Sequence, residues 1–127
     1  MSNGRPQERK PDGRRLRAER RGRLSEFLAA LYLLLKGYRI IALRYRTRAG
    51  EIDIIARKGK LVVFIEVKAR RLERSAVDAV SHHAQRRIHA ASRVWLSRQP
   101  DFSDLSCRYD IVAVLPWRLP RHFQNAF

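Results

Sequence analysis

Asp53, Glu66 and Lys68 are the residues of this chain best placed to do chemistry together. They stand in the stretch GEIDIIARKGKLVVFIEVKAR, from Gly50 to Arg70, among Ile52, Ile54, Ile55, Leu61, Val62, Val63, Phe64, Ile65 and Val67. Acids set in such apolar runs repel one another and resist desolvation unless something compensates them. A hard divalent cation is one such compensation. Oxygen donors with no Cys or His nearby suit Mg²⁺ or Mn²⁺ and not Zn²⁺. A lysine beside that cation can orient an attacking water or stabilise charge growing on a phosphate. The plainer alternative is an edge hairpin with surface charges and a Glu66–Lys68 ion pair. Two residues along one strand is a poor spacing for that pair, and the third group, Asp53, favours the cation site.

The elements that must position these groups are two strands, residues 51–56 and 61–69, joined across Arg57-Lys58-Gly59-Lys60. Side chains alternate faces along a strand. A loop at Lys58-Gly59 pairs Arg57 with Lys60, Ile55 with Val62, Asp53 with Phe64 and Glu51 with Glu66. Asp53 and Glu66 are then diagonal neighbours on one face, with Cβ atoms roughly 7 Å apart. Lys68 shares that face. A slip of one residue would send Asp53 to the other face. Glu51 has three readings here: an outer acid, a second metal ligand, or a partner for Lys68.

Around this hairpin the periodicity predicts a helix over about 23–36. Leu24, Phe27, Leu28, Leu31, Leu34 and Leu35 form its buried stripe and Gly37 its stop. A strand is expected at 38–47. Residues 70 to about 80 read as a loop with some helical character. A second helix over about 82–98 follows, capped by Ser81 and buried through Ile88, Ala91, Val94 and Trp95, with Pro100 beyond its end. A last strand covers 108–115, where Asp110 pairs with Arg108 in a structural role. The tail PWRLPRHFQNAF is apolar without a period. The order is helix, three strands, helix, strand: an α/β fold with a mixed central sheet flanked by helices.

The chain's 127 residues suit a single domain over 21–127. Residues 1–20 read as a basic arm whose second half can extend the first helix. Twenty-eight Lys and Arg against twelve Asp and Glu give a formal charge of +16, which calls for a polyanion. Nucleic acid is the first candidate and an acidic membrane surface the second. Cys107 is alone and reads as buried; with no disulfide framework, a reducing, cytoplasmic setting is expected. No apolar run reaches the roughly 18 residues of a membrane span, and FLAALYLLL lacks the small-residue site that follows a leader peptide. His82 and His83 read either as phosphate contacts or as idle surface. Trp95 and Trp117 read as core or interface.

The strings GEIDIIA and VFIEVKAR, with GRLSEFLAALYLLLKGYRII, AQRRIHAAS, CRYDIVAV and HFQNAF, resemble the YraN-like family of uncharacterised bacterial proteins. The resemblance covers about Gly22 to the C-terminus. That family in turn resembles the restriction-endonuclease-like fold of the PD-(D/E)xK phosphodiesterases, Holliday-junction resolvases included, whose core order is αβββαβ. The resemblance implies that Asp53 and Glu66 hold Mg²⁺ or Mn²⁺, with the Val67 carbonyl as a further ligand. Lys68 completes the (D/E)xK pair, Glu26 supports the metal from the first helix, and Gln85 faces the centre from the second. Arg70, and with it Arg48, Arg71 and Arg86, is assigned to phosphate contacts. Ile52 stands where a proline often precedes the aspartate, Ser25 where glycine precedes the helical glutamate, and Ala84 where lysine usually precedes Gln85. The expected function is metal-dependent hydrolysis of DNA phosphodiesters, selective for structure over sequence. A homodimer is expected by analogy with resolvases and restriction enzymes. The rival expectations are a nucleic-acid-binding module of the same fold that does not cut, and an interaction protein docking through its apolar tail.

Overall fold

The computed structural model describes residues 13–69 and 80–127, and side chains within 22–69 and 80–127. Helix α1 (Gly13–Leu35) leads into strands β1 (Arg39–Arg46), β2 (Glu51–Lys58) and β3 (Leu61–Ala69). Helix α2 (His82–Ser97), strand β4 (Ser106–Val114) and a short β5 (Arg121–Phe123) complete the chain. The sheet order is β1-β2-β3-β4-β5; β3 and β4 run parallel and all other neighbours antiparallel. A parallel pair needs a crossover, and α2 lies in that connection. The fold is mixed α/β, a five-stranded sheet flanked by two helices, consistent with a restriction-endonuclease-like αβββαβ core. β5 is a strand that the tail's composition did not announce. The first twelve residues of the basic arm, and the loop expected from Arg70, fall outside the described residues except for Val80.

Strands β2 and β3 are buried on both faces, which explains their near-continuous apolar runs. On one face Ala29, Ala30 and Leu33 of α1 cluster with Ile54, Ala56, Val63, Ile65 and Val112. On the other, Ile88, Ala91 and Trp95 of α2 cluster with Ile52, Ile55, Val62 and Phe64. The α2 stripe is as expected, with Val94 only half-buried, and the Ser81 hydroxyl accepts from the Ala84 N–H at 3.1 Å.

Helix α1 corrects the sequence reading. Leu24, Phe27, Leu28, Leu31, Leu34 and Leu35 are all exposed, and Ser25, Ala29, Ala30 and Leu33 face the sheet instead. Periodicity locates a stripe but does not say which side of a helix meets the sheet. Here the small side chains do, and they let the helix backbone come close. The C-terminus behaves as expected. Gly37 has φ 93, Tyr38 N–H donates to the Leu33 carbonyl and Gly37 N–H to that of Leu34, each at 3.0 Å. That is a Schellman closure, with Tyr38 and Leu33 in one apolar cluster.

Two further readings change. Cys107 is exposed, because it sits at the open beginning of β4, whose buried run starts only at Asp110. Of the two tryptophans read as core or interface, Trp95 is in the core, edge-on to Phe64, while Trp117 stands in solvent, which removes the core reading for it and leaves the interface one. Asp110 is structural, and more deeply so than a pair with Arg108 suggests. Its fully buried carboxylate accepts from Arg108, from His122 Nε2 at 2.6 Å and from the Asn125 N–H at 2.9 Å. Burial alone would push this carboxyl up, but the His122, Arg108 and Asn125 hydrogen bonds outweigh it and hold it below the ordinary range. The cluster pins the segment around β5 to the sheet.

Candidate metal and phosphate site

The β2–β3 hairpin turns at Gly59-Lys60, so the register differs by two residues from the expected one. Lys58 pairs with Leu61, Arg57 with Val62, Ile55 with Phe64 and Ile54 with Ile65. Gly59 has φ 62 and Lys60 is not among the positive-φ residues, the pattern of a type II′ turn with glycine in first place. A shift of two keeps the facing of every side chain. It brings Asp53 into line with Glu66 instead of Phe64, and Glu51 away from Glu66.

Strict alternation then fails at the position that matters. Ile54 packs toward α1, whereas Ile52 and Ile55 both pack toward α2. Arg44 lies in β1 between the pairs Leu43–Ile54 and Tyr45–Ile52, and has φ 54. The β2–β3 ladder ends at Ile54–Ile65, and beyond it the Asp53 carboxylate accepts the Val67 N–H at 2.9 Å. A side chain thus replaces the backbone partner, and the strand's irregularity frees the carboxyl to reach Glu66, with which it shares a hydrogen bond.

The electrostatics follow from that juxtaposition. Burial first, then the charge of Glu66, push the Asp53 carboxyl up to about 8; Glu26 adds to the rise and the Val67 N–H opposes it. Glu66 meets Lys68 at 3.2 Å, so the ion pair expected to be badly spaced does form. Glu26 reaches the site from the inward side of α1 and accepts from Arg44 Nε at 2.6 Å. Glu51 is exposed and meets Arg46 at 3.8 Å. Among the described residues no three His, Cys, Asp or Glu side chains gather into a closed metal cage.

Two depressions flank the carboxyl pair. The smaller, about 160 Å³, is lined by Glu26, Arg44, Arg46, Glu51 and Asp53. The larger, about 300 Å³, is lined by Glu51, Glu66, Lys68, His83, Ala84 and Arg87. Glu51 is a wall common to both. Gly50 explains how α2 comes so near: a Cβ there would lie 2.0 Å from the Arg87 carbonyl oxygen. The glycine of GEID is therefore the contact point of strand and helix backbones.

Of the residues proposed from sequence, Asp53, Glu66, Lys68 and Glu26 come together. Gln85 lines neither depression; its Nε2 donates to the Val80 carbonyl at 3.1 Å, which anchors the start of α2. Arg48 and Arg86 are exposed and line neither, while Arg70 and Arg71 lie outside the described residues. Val67 contributes its N–H to Asp53. Sequence reasoning missed Arg44 and Arg87. Arg87 was legible: with His83 and Ala84 it shares one face of α2 at spacings of three and four. The αL conformation of Arg44 left no signal.

The family model described as "Uncharacterised protein family UPF0102" matches residues 25–114. A UPF0102 protein of Sinorhizobium fredii is 66% identical over 118 residues, covering 93% of this chain and 97% of that protein. One of Rhizobium johnstonii is 68% identical over 113 residues, 89% and 93% of the two chains. One of Mesorhizobium japonicum is 59% identical over 118 residues, 93% and 94% of the two chains.

Proposed function

The chain belongs to the uncharacterised protein family UPF0102, the YraN-like family, and from that premise and the site's geometry we propose that it is a Mg²⁺- or Mn²⁺-dependent nuclease hydrolysing DNA phosphodiesters. The observation that carries the reading is the Asp53–Glu66 carboxyl pair with Lys68 at its edge. A carboxyl forced up to about 8 by burial and a neighbouring acid is under an electrostatic load that a hard divalent cation would relieve. The donor set fits such a cation, because two carboxylates with remaining positions left to water and phosphate is how Mg²⁺ is commonly held. Asp53 and Glu66 would hold it, and the Val67 carbonyl is the further ligand proposed. When bound, the cation supplies Lewis-acid polarisation of a phosphoryl oxygen and a more acidic water.

The chain's own residues would do the rest. Lys68, 3.2 Å from Glu66, places a positive charge at the edge of the larger depression, where it can orient water or meet a phosphate oxygen. Arg87 and His83 line the same depression and would hold the phosphate backbone. Arg44 restrains Glu26 and so limits the negative charge facing an incoming phosphate. The formal charge of +16 would draw nucleic acid in. Among the described residues no helix is long and apolar enough to cross a membrane; a cytoplasmic setting is part of the proposal.

A second reading, a nucleic-acid-binding module that does not cut, is favoured by the Glu66–Lys68 and Glu26–Arg44 ion pairs, which offset the acids without a cation. Incubating pure protein with branched, flapped and single-stranded DNA in Mg²⁺ or Mn²⁺ separates the two. The nuclease reading expects cleavage of at least one substrate, abolished in Asp53→Asn and Lys68→Ala. Tight DNA binding with no cleavage and no saturable Mn²⁺ site by calorimetry would establish the module instead.

A further inference from the structure

The side of α1 turned away from the sheet carries Leu24, Phe27, Leu31 and Leu34 at spacings of three, four and three. That is the a-and-d seam of two helical heptads. Leu28 and Leu35 flank it. All six are exposed, Phe27 at 62% and Leu35 at 81%. Beside the seam a groove of about 550 Å³ runs between α1 and the segment holding Trp117 and Leu119. Trp117 is wholly in solvent and has φ 58, a left-handed backbone that costs a bulky residue energy. Among the described residues, no packing within the chain accounts for the seam or the strained tryptophan.

We propose that this face is a self-association surface, on which α1 of one copy packs antiparallel against α1 of a second copy about a two-fold axis. Three observations select a second copy. First, the exposed seam, with Trp117 and Leu119 on the groove wall, presents apolar surface on the order of the ~800 Å² per partner of a standard interface. It exceeds the few hundred Å² that a monomer ordinarily shows. Second, a two-fold interface must be complementary to itself. The seam is: antiparallel pairing sets Leu24 against Leu34 and Phe27 against Leu31, an apolar match at every position. Third, charge chooses the direction. Residues 13–23 of α1 are rich in arginine. A parallel pair would lay those two segments side by side, and the antiparallel pair sets them at opposite ends. The groove between α1 and Trp117 then receives side chains of the partner helix. The pairing depends on the outer side of α1 and the adjoining Trp117–Leu119 wall, and it requires neither metal nor nucleic acid.

Sedimentation velocity on the full chain tests this, at ~0.5 M salt to screen repulsion between the highly charged copies and up to ~100 µM protein. The expected species is a dimer of about 30 kDa, twice the 14.9 kDa chain. Leu31→Glu and Phe27→Glu, both at exposed positions, should each weaken dimerisation at least ~100-fold while keeping the parent's circular dichroism and melting temperature. In a Cys107→Ser background, mixing Leu24→Cys and Leu34→Cys chains should trap the mixed pair. A parent that stays monomeric at ~100 µM overturns the proposal. So do dimers that survive both glutamates, or a monomer that binds anionic vesicles through this face. Disulfide trapping of Leu24→Cys with itself overturns the antiparallel arrangement.

Discussion

Replacing Asp53 by Asn should make the protein more stable in the absence of metal. The Asp53 carboxyl moves from an ordinary value of 3.8 to about 8 on folding. An acid whose folded pKa is raised contributes stability that is intact below its unfolded pKa and lost as pH rises through the folded one. In this case the window runs from about 3.8 to about 8. Inside it the parent loses ~1.4 kcal/mol of stability per pH unit from this group, to a ceiling of ~6 kcal/mol above pH 8. Relaxation around a half-buried carboxyl reduces the ceiling, so ~2–4 kcal/mol at pH 8 is the working figure, still large against the ~5–15 kcal/mol of an ordinary domain. Asn preserves the packing: its carbonyl oxygen can accept the Val67 N–H, and its amide can donate to Glu66. Urea unfolding of parent and Asp53→Asn, in chelator, at pH 5, 6, 7 and 8 measures the effect. The gap in favour of Asn should be ~1 kcal/mol or less at pH 5 and widen steadily to pH 8. Saturating Mn²⁺ should stabilise the parent and leave the variant unmoved. If the two proteins follow one pH dependence, or the variant is the weaker at pH 8, the account of a strained carboxyl pair is wrong.

Gly50→Ala should cost ~1–3 kcal/mol and lower both DNA affinity and cleavage, because its Cβ meets the Arg87 carbonyl at 2.0 Å and must push α2 away; thermal melts and cleavage assays report it. Asp110→Asn should cost ~3–5 kcal/mol at neutral pH by leaving the Arg108 guanidinium without its buried counter-charge and disturbing the hydrogen bonds that His122 Nε2 and the Asn125 N–H make to the carboxylate. Since the Asp110 carboxyl is held below its ordinary 3.8, the stability it brings is present above that value and lost as pH falls through its lowered pKa. The gap between parent and variant in urea unfolding should therefore close below ~pH 4. Arg87→Ala should weaken DNA binding evenly across sequences and reduce the slope of log K against log salt by ~1, measured by fluorescence anisotropy.

The order of elements was legible because each carries its own period: alternation in β1, two-faced apolar runs in β2 and β3, a helical stripe in α2. The orientation of α1 was not, because Leu33 with Ser25, Ala29 and Ala30 makes a second face whose small side chains look weak on paper. Only the sheet's demand for close approach selects it. The residues of the Asp53–Glu66–Lys68 site could be picked out, but the reason they meet was misread. The turn sits one residue later than expected, and the carboxyls meet through an irregularity at Arg44 and Asp53 that no alternation rule anticipates. β5 is three residues long and held by the Asp110 hydrogen bonds beside it, so it has too little length to show a period. Gln85 shows the limit of reading a role from a motif: the polar residue is there, but its amide is spent on the Val80 carbonyl.

The Val67 N–H, bonded to a side-chain carboxylate where a strand would supply a carbonyl, gives the molecule an internal spectroscopic reporter. Its nitrogen and proton resonances sit one hydrogen bond from the carboxyl whose ionisation matters most. In a ¹⁵N-labelled sample this one peak should shift as the site takes up a proton or a cation, while the amides of Ile54 and Ile65, still in the regular ladder, stay in place. The site can therefore be watched directly in solution, without a substrate and without knowing which DNA structure the protein prefers.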